Sequence, residues 1–258
     1  MSNGIIVFIE HKAGVLNKTS LEAIAAAQKL GSELGQKVSA AVLGAPSLAA
    51  DMAVYDLEKV FNVDHAQLNQ YTPDAYAAAM EQVVKATSPQ YVIMSHTYEA
   101  RDFAPKVAAR FGKGLIGDCI RMTVEAQKTV FTRRIFLGKL DADVVPDGEA
   151  PTFVTFQSGA FRGDQAVKGS GAAIEEMPVD LAEARMKPEP PFQEAKQAVD
   201  LSKADIIVAV GRGIKSKDNL ALAEKLAEAL GGDLVLQDQS ATPSGCRSIV
   251  KSGRLGKP

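Results

Sequence analysis

The feature that most restricts this chain is a sustained alternation. Short apolar, β-branched runs are separated by alanine-rich stretches whose apolar positions recur at helical spacing. Residues 4–9 (GIIVFI) are a continuous apolar run, the pattern of a strand buried on both faces. Residues 19–34 follow, with Leu21, Ile24, Ala25, Leu30 and Leu34 on one helical face. Thr19, with Glu22 three residues on, has the form of a capping box, and Gly31 and Gly35 supply stop signals. Residues 37–43 read as a second strand, 47–55 as a short helix and 59–62 as a third strand. Thr72 precedes Pro73, the favoured first helical position, and opens a helix over 73–85. A further apolar run, 91–95 (YVIMS), leads into a helix over 100–111. Strands joined by crossover helices require a mostly parallel sheet with right-handed connections.

After Gly117 the texture changes. Residues 120–125, 130–136 and 152–156 read as strands with no helix between them, so an antiparallel portion is expected to close the domain. Residues 163–205 carry Gly169, Ser170, Gly171 and the prolines 178, 188, 190 and 191 among many charges. The expected organisation is a domain over 1–187, a linker over 188–203 and a second α/β unit from 204. That unit opens with the strand 204–210, then Gly211-Arg212-Gly213, then a helix over 217–230 ended by Gly231-Gly232. No internal repeat or low-complexity block interrupts the chain.

Composition removes several classes. A net charge of −2 and a pI near 6.0 argue against a protein held to nucleic acid by phosphate charge. Only Cys119 and Cys246 are present, which excludes a disulfide framework and makes a reducing compartment the default. The longest apolar runs are far too short to cross a bilayer, and a strand-like segment by Gly4 leaves no room for a targeting peptide. The expectation is a cytoplasmic chain of 258 residues with no membrane insertion and no nucleic-acid partner.

Candidate chemistry is sparse. His11, His65 and His96 have no Cys, Asp or Glu at metal spacing, so no metal site is expected. His96 follows a strand, where open α/β sheets place ligands, but a structural histidine satisfies the same pattern. Cys119 reads as a small buried hydrophobe, and Ser158-Gly159-Ala160 as a turn. Arg101-Asp102 fits a capped helix start, with Arg101 free to pair with Asp102 or to face a partner. No G-x-S-x-G elbow, P-loop or full dinucleotide fingerprint is present, and no catalytic residue is assigned. The strongest local signal is strand, Gly211-Arg212-Gly213, helix. Glycines there let a backbone approach phosphate, and an arginine adds a fixed fork of donors. An ordinary tight turn with a solvated arginine fits the same three residues.

Ordered segments then carry a family resemblance. They are I-I-V-F-I-E-H (5–11), L-N-K-T-S-L-E-A-I-A-A-A-Q-K-L-G (16–31), A-R-D (100–102) and P-K-V-A-A-R-F (105–111). Further along come G-D (117–118), S-G-A-F (158–161) and, most distinctive, D-L-S-K-A-D-I-I-V-A-V-G-R-G-I-K-S-K-D-N (200–219). From residue 4 to about 234 the chain resembles the α subunit of electron-transfer flavoproteins. The resemblance implies an adenine-nucleotide-hydrolase-like, Rossmann-like first domain and the start of an FAD-binding α/β domain. It implies a heterodimer whose β subunit completes the flavin site and holds AMP. Electrons would arrive from acyl-CoA and related dehydrogenases, as in fatty-acid β-oxidation, and leave to a quinone oxidoreductase or another acceptor. By position Arg212 matches the family's FAD-contacting arginine, with Gly211 and Gly213 shaping its turn. Two other classes remain open: a free-standing nucleotide-binding module, and a docking partner without redox work.

The likeness stops near Leu234. The family continues with G-A-S-R-P, a W-L-P segment and Q-V-G-Q-T-G-K, whereas residues 235–258 read VLQDQSATPSGCRSIVKSGRLGKP, without aromatics or an apolar period. Joining the third base of each codon to the first two of the next, from Leu234 onward, permits G-A-S-R-P, then V-C-D-A-x-W-L-P, then H-R-Q-V-G-Q-T-G-K-T. The expectation is a slipped reading frame that leaves an aberrant tail over 235–258 and an incomplete FAD-binding domain with very weak or absent flavin binding.

Overall fold

The computed structural model describes residues 4–125, 128–183, 185–189, 204, 206–214, 219–238 and 247–250. The chain divides into two units, Met1–Glu189 and Pro190–Pro258. Most of the predicted linker, residues 190–203, lies outside the described residues, as do Cys246 and residues 239–246 and 251–258 of the predicted tail.

The first unit runs β1 (Ile5–Ile9), β2 (His11–Lys12), β3 (Val15–Leu16), α1 (Thr19–Leu34), β4 (Val38–Leu43), α2 (Pro46–Met52) and β5 (Lys59–Val63). It continues with α3 (Pro73–Thr87), β6 (Tyr91–Ser95), α4 (Tyr98–Arg110), β7 (Leu115–Glu125), β8 (Lys128–Ile135), β9 (Leu140–Val144), β10 (Thr152–Phe156) and β11 (Ala173–Glu176). Nine strands form one sheet in the order β11-β5-β4-β1-β6-β10-β7-β8-β9. Pairing is parallel from β11 through to β7 and antiparallel for β7–β8 and β8–β9.

The sheet's continuous apolar strands are covered on both faces. Val7, Val42 and Ile93 pack with Ile24 and Leu30 of α1 on one side. On the other, Phe8, Tyr76 and Phe103 meet edge to face, with the Phe8 and Phe103 ring centroids 5.0 Å apart. These three side chains are at most 2 % exposed.

The predicted helices and strands are present with shifted ends, and three readings change. The strand 152–156 was expected in an antiparallel portion, yet β10 lies between β6 and β7 and is parallel to both. Its T-F-V-T-F run is buried along most of its length, which an interior position demands. The antiparallel part is instead β7, β8 and the unanticipated β9, whose L-D-A-D-V sequence hides a strand under alternating carboxylates. At the opposite edge the fully exposed β11 (AIEE) pairs with β5, and Lys59 Nζ meets Glu175 Oε2 at 2.8 Å.

Capping also differs. Thr19 is already helical, and Lys18 is the α1 cap position. Asn17 does the capping work: its Oδ1 accepts from the Thr19 N–H at 3.2 Å and the Thr19 hydroxyl at 3.0 Å. Glu22 does not close a capping box; its Oε2 accepts from Gly159 N–H at 2.7 Å, tying the Ser158-Gly159-Ala160 turn to α1. Thr72 is the α3 cap residue, but its hydroxyl makes no capping bond.

The second unit holds β12 (Ile207–Val210), α5 (Leu220–Leu230), β13 (Asp233–Asp238) and β14 (Arg247–Val250). β12 pairs parallel with β13, and β13 antiparallel with β14. β12 therefore has a sheet to join, and residues 235–238 and 247–250 of the expected tail supply most of it. Val235 sits opposite Val250, so the two short apolar runs of the tail find each other. Ala223, Ala227 and Leu234 pack with Val208 and Val210. Leu222, Leu226 and Leu230 of α5 face outward, spaced one helical turn apart.

Candidate functional site

The Gly-Arg-Gly turn lies where the sequence places it. β12 ends at Val210, Gly211 follows, and Arg212–Ile214 form a 3-10 turn closed by Ile214 N–H to Gly211 O at 3.2 Å. Asn219 Nδ2 donates to Ile214 O at 2.8 Å and pins the far side of this connection to the start of α5. Neither Gly211 nor Gly213 has a positive φ, and a Cβ built on either meets no atom of the described residues within 4 Å. Backbone strain and crowding thus leave both glycines unexplained. Open space in front of their Cα atoms is what a ligand approaching the main chain requires. The strand-turn-helix form and this open face fit a dinucleotide phosphate. The Arg212 side chain and residues 215–218 lie outside the described residues.

The first unit has a second place where a ligand would be sought. Strand order reverses between β1 and β6, and open α/β sheets bind ligands beyond the carboxyl ends of such strands. Here that place is filled by the chain itself. Glu10, directly after β1, is 8 % exposed. One of its carboxylate oxygens accepts from Asn17 Nδ2 at 2.6 Å and the other from the Thr97 hydroxyl. Ser20 Oγ accepts from Glu10 N–H at 2.9 Å and donates to Glu10 O at 3.1 Å, while Ser95 Oγ donates to Thr19 O at 2.8 Å. A fixed carboxylate in this crevice opposes phosphate. Glu99, in the first turn of α4, is pushed up to about 8 by burial and then by the charge of Glu10. Its Oε1 finds no hydrogen-bond partner among the described residues. Sequence reasoning passed over this cluster; Glu10-His11 at a strand end was the available signal.

The histidines are structural. His11 Nδ1 accepts from Gly14 N–H at 3.3 Å, which makes Nε2 the protonated nitrogen, and Nε2 donates to Leu43 O at 2.6 Å. His65 Nδ1 accepts from Gln67 N–H at 3.2 Å and caps a 3-10 turn. His96 Nδ1 lies 2.8 Å from Thr155 Oγ1. Cys119 is fully buried, and burial pushes its thiol up to about 12. Arg101 does not pair with Asp102: its guanidinium stacks 5.6 Å over the exposed Tyr98 ring, and Asp102 accepts from Tyr71 OH at 2.9 Å. No group of three or more His, Cys, Asp or Glu side chains among the described residues could hold a metal.

Comparison with known proteins agrees with both units. Residues 5–182 match the family model of the electron transfer flavoprotein domain, and residues 200–253 that of the electron transfer flavoprotein FAD-binding domain. The second match spans β12 through β14 and runs to residue 253, past Leu234, where the likeness was expected to stop. The chain is 31% identical to the electron transfer flavoprotein subunit alpha of Bacillus subtilis, over 100% of this chain and 79% of that protein. It is 32% identical to Protein FixB of Clostridium saccharobutylicum (97% and 73%). It is also 32% identical to the acryloyl-CoA reductase electron transfer subunit beta of Anaerotignum propionicum (97% and 75%).

Proposed function

As this chain belongs to the electron-transfer flavoprotein α-subunit family, we propose that it is the α half of a two-subunit carrier that takes electrons from a flavin dehydrogenase and delivers them to a second redox partner. Acyl-CoA dehydrogenases are the donors this reading favours, and a quinone oxidoreductase the acceptor, in the cytoplasm. Relatives named for acryloyl-CoA reductase and for lactate dehydrogenase keep other electron donors and acceptors in view. The protein makes and breaks no substrate bond. FAD, when bound, supplies the electron-accepting ring; this chain contributes Gly211, Arg212 and Gly213 toward its phosphates, and AMP belongs to the β subunit.

The observation that carries this reading is the pair of glycines with open Cα faces flanking Arg212, inside the segment that matches the FAD-binding family model. The polar seal around Glu10 speaks against a free-standing nucleotide-binding module. Co-expression with a β subunit, size exclusion and a flavin spectrum test the proposal. A one-to-one complex is expected; a chain that stays monomeric beside every β subunit sinks it.

We further infer that residues 235–258 are the family's FAD motif read out of frame. Codon compatibility through G-A-S-R-P, W-L-P and Q-V-G-Q-T-G-K supports this. Sequencing the gene across the Leu234 codon decides it, because codons incompatible with the shifted reading rule it out.

A further inference from the structure

Tyr71 stands apart from the other tyrosines of this chain in where its phenol proton can go. The sequence holds five tyrosines and no tryptophan, so a tyrosine is the aromatic side chain that gives up an electron most readily. A phenol that loses an electron becomes a strong acid and must lose its proton as well. The cost of the first event therefore depends on whether a base lies within hydrogen-bond reach for the second. Tyr71, in the segment before α3, donates from its hydroxyl to Asp102 Oδ2 at 2.9 Å and, at a longer 3.3 Å, to Glu99 O. Asp102 lies on α4 and is exposed, so a proton that it accepts passes on to water. Burial, and then the hydrogen bond and charge of Asp102, hold the phenol far above its ordinary pKa. Loss of the proton before the electron is thereby closed, and the two leave together.

The other four tyrosines have no such acceptor. Tyr76 is buried beside Tyr71, with ring centroids 4.9 Å apart, and its hydroxyl donates to Leu68 O at 3.2 Å. Tyr91 is buried with its hydroxyl 2.9 Å from Thr129 Oγ1. A carbonyl and a hydroxyl accept a hydrogen bond, but neither holds the extra proton as a carboxylate does. The phenol hydrogen bonds among the described residues are those of Tyr71, Tyr76 and Tyr91, which leaves Tyr55 and Tyr98 without a base. Tyr98 is the most exposed, yet the Arg101 guanidinium lies 5.6 Å over its ring, and positive charge there opposes removal of an electron.

We propose that Tyr71, with Asp102 as its proton acceptor, is the redox-active tyrosine of this chain, the residue on which a one-electron oxidation comes to rest. The oxidant is a small external radical of the azide or nitrogen dioxide class. It takes one electron and becomes its anion, the Tyr71 O–H bond breaks, Asp102 gains the proton, and a neutral tyrosyl radical remains. An electron missing from Tyr76 is supplied by Tyr71 across their ring contact, so oxidation does not persist in the buried cluster of Phe8, Tyr76 and Phe103. The assignment depends on neither FAD nor a β subunit.

Azide radicals generated in solution test it on the full-length chain with its thiols alkylated, the product being frozen at once and read by electron paramagnetic resonance. Wild type should give a single tyrosyl line shape. Tyr71→Phe should remove that signal. Asp102→Asn should remove it too, because the carboxamide keeps the shape of the acceptor but takes up no proton. Asp102 is exposed, so this second variant carries the test even where Tyr71→Phe disturbs folding. Tyr98→Phe should leave the signal in place. A wild-type line shape retained in Tyr71→Phe overturns the proposal. A signal lost in Tyr98→Phe does the same, since exposure and not a neighbouring base would then decide the site. A signal unchanged in Asp102→Asn overturns the role of that carboxylate and, with it, the reason for singling out Tyr71.

Discussion

Thr155 Oγ1 and His96 Nδ1 lie 2.8 Å apart across the parallel pair β10–β6. Asp118 N–H donates to the same hydroxyl at 3.1 Å, and on the other side of the ring Nε2 lies 3.9 Å from Asp118 Oδ1. Burial favours the neutral ring, and the facing carboxylate favours the tautomer with its proton on Nε2, so that the Thr155 hydroxyl donates to Nδ1. Burial holds its pKa below the ordinary value; Asp118 opposes this, and Arg101 and Arg133 add to it. Asp118 itself has a φ of 61°, so the hydroxyl also steadies a left-handed turn.

Thr155→Val should strand both His96 Nδ1 and the Asp118 amide, costing roughly 2–4 kcal/mol in urea unfolding, whereas Thr155→Ser should cost well under half of that. In nitrogen NMR, His96 should show the Nε2–H tautomer and titrate below free histidine. Because the folded pKa is depressed, the unfolded chain binds the proton first as pH falls. Stability from this group is complete above about 6.5 and declines below it. A titration at or above the free value contradicts this arrangement.

Glu99 has the opposite pH sign. Its folded pKa of about 8 exceeds the ordinary carboxylate value of 4.5, so the folded state holds the extra proton between those limits. Stability falls as pH rises through that window and levels off above it. Glu99→Gln should flatten the profile and at pH 9 stabilise the protein by roughly 2 kcal/mol, allowing for screening at a partly exposed site. A wild-type profile parallel to that of the variant argues against a buried, proton-holding Glu99.

Gly44 links β4 to α2 with a φ of 68°, and a Cβ there would sit 2.1 Å from Leu68 O. Both the backbone and a main-chain oxygen forbid a side chain. Gly44→Ala should cost about 4 kcal/mol or more in the first unit, read as a collapse of the thermal midpoint. Gly35→Ala, at a φ of 66° with nothing among the described residues within 4 Å, meets only the backbone penalty and should cost about 1 kcal/mol.

The polypeptide as it stands, without its partner, should bind FAD no tighter than on the order of 100 µM, because one glycine turn offers few charge-assisted bonds against the cost of ordering a dinucleotide. A frame-restored chain with its β subunit should be yellow. In that complex Arg212→Ala should weaken FAD by roughly ten- to a hundredfold. Stoichiometric flavin absorbance on the 258-residue chain alone contradicts the reading of the tail.

Much of this protein was legible from its residues in order. Continuous apolar runs such as I-I-V-F-I and Y-V-I-M-S can be buried only on both faces, which requires a parallel sheet covered by helices. The run T-F-V-T-F carried the same message as β10, but no helix precedes it, and its parallel place between β6 and β7 is settled by long-range pairing. The Gly-Arg-Gly turn could be read locally because it falls directly between an apolar strand run and a helical period, a boundary that needs no distant partner. Other features required the tertiary structure. Asn17 rather than Thr19 caps α1, Glu22 reaches a turn 137 residues away, and Glu10 meets Thr97 where strand order reverses. Helical periodicity and capping rules act over a few residues, whereas the partner of a carboxylate or a strand edge depends on which distant segments the sheet brings together. The local pattern therefore determined most of the elements and the Gly-Arg-Gly turn, and strand order decided which polar groups meet.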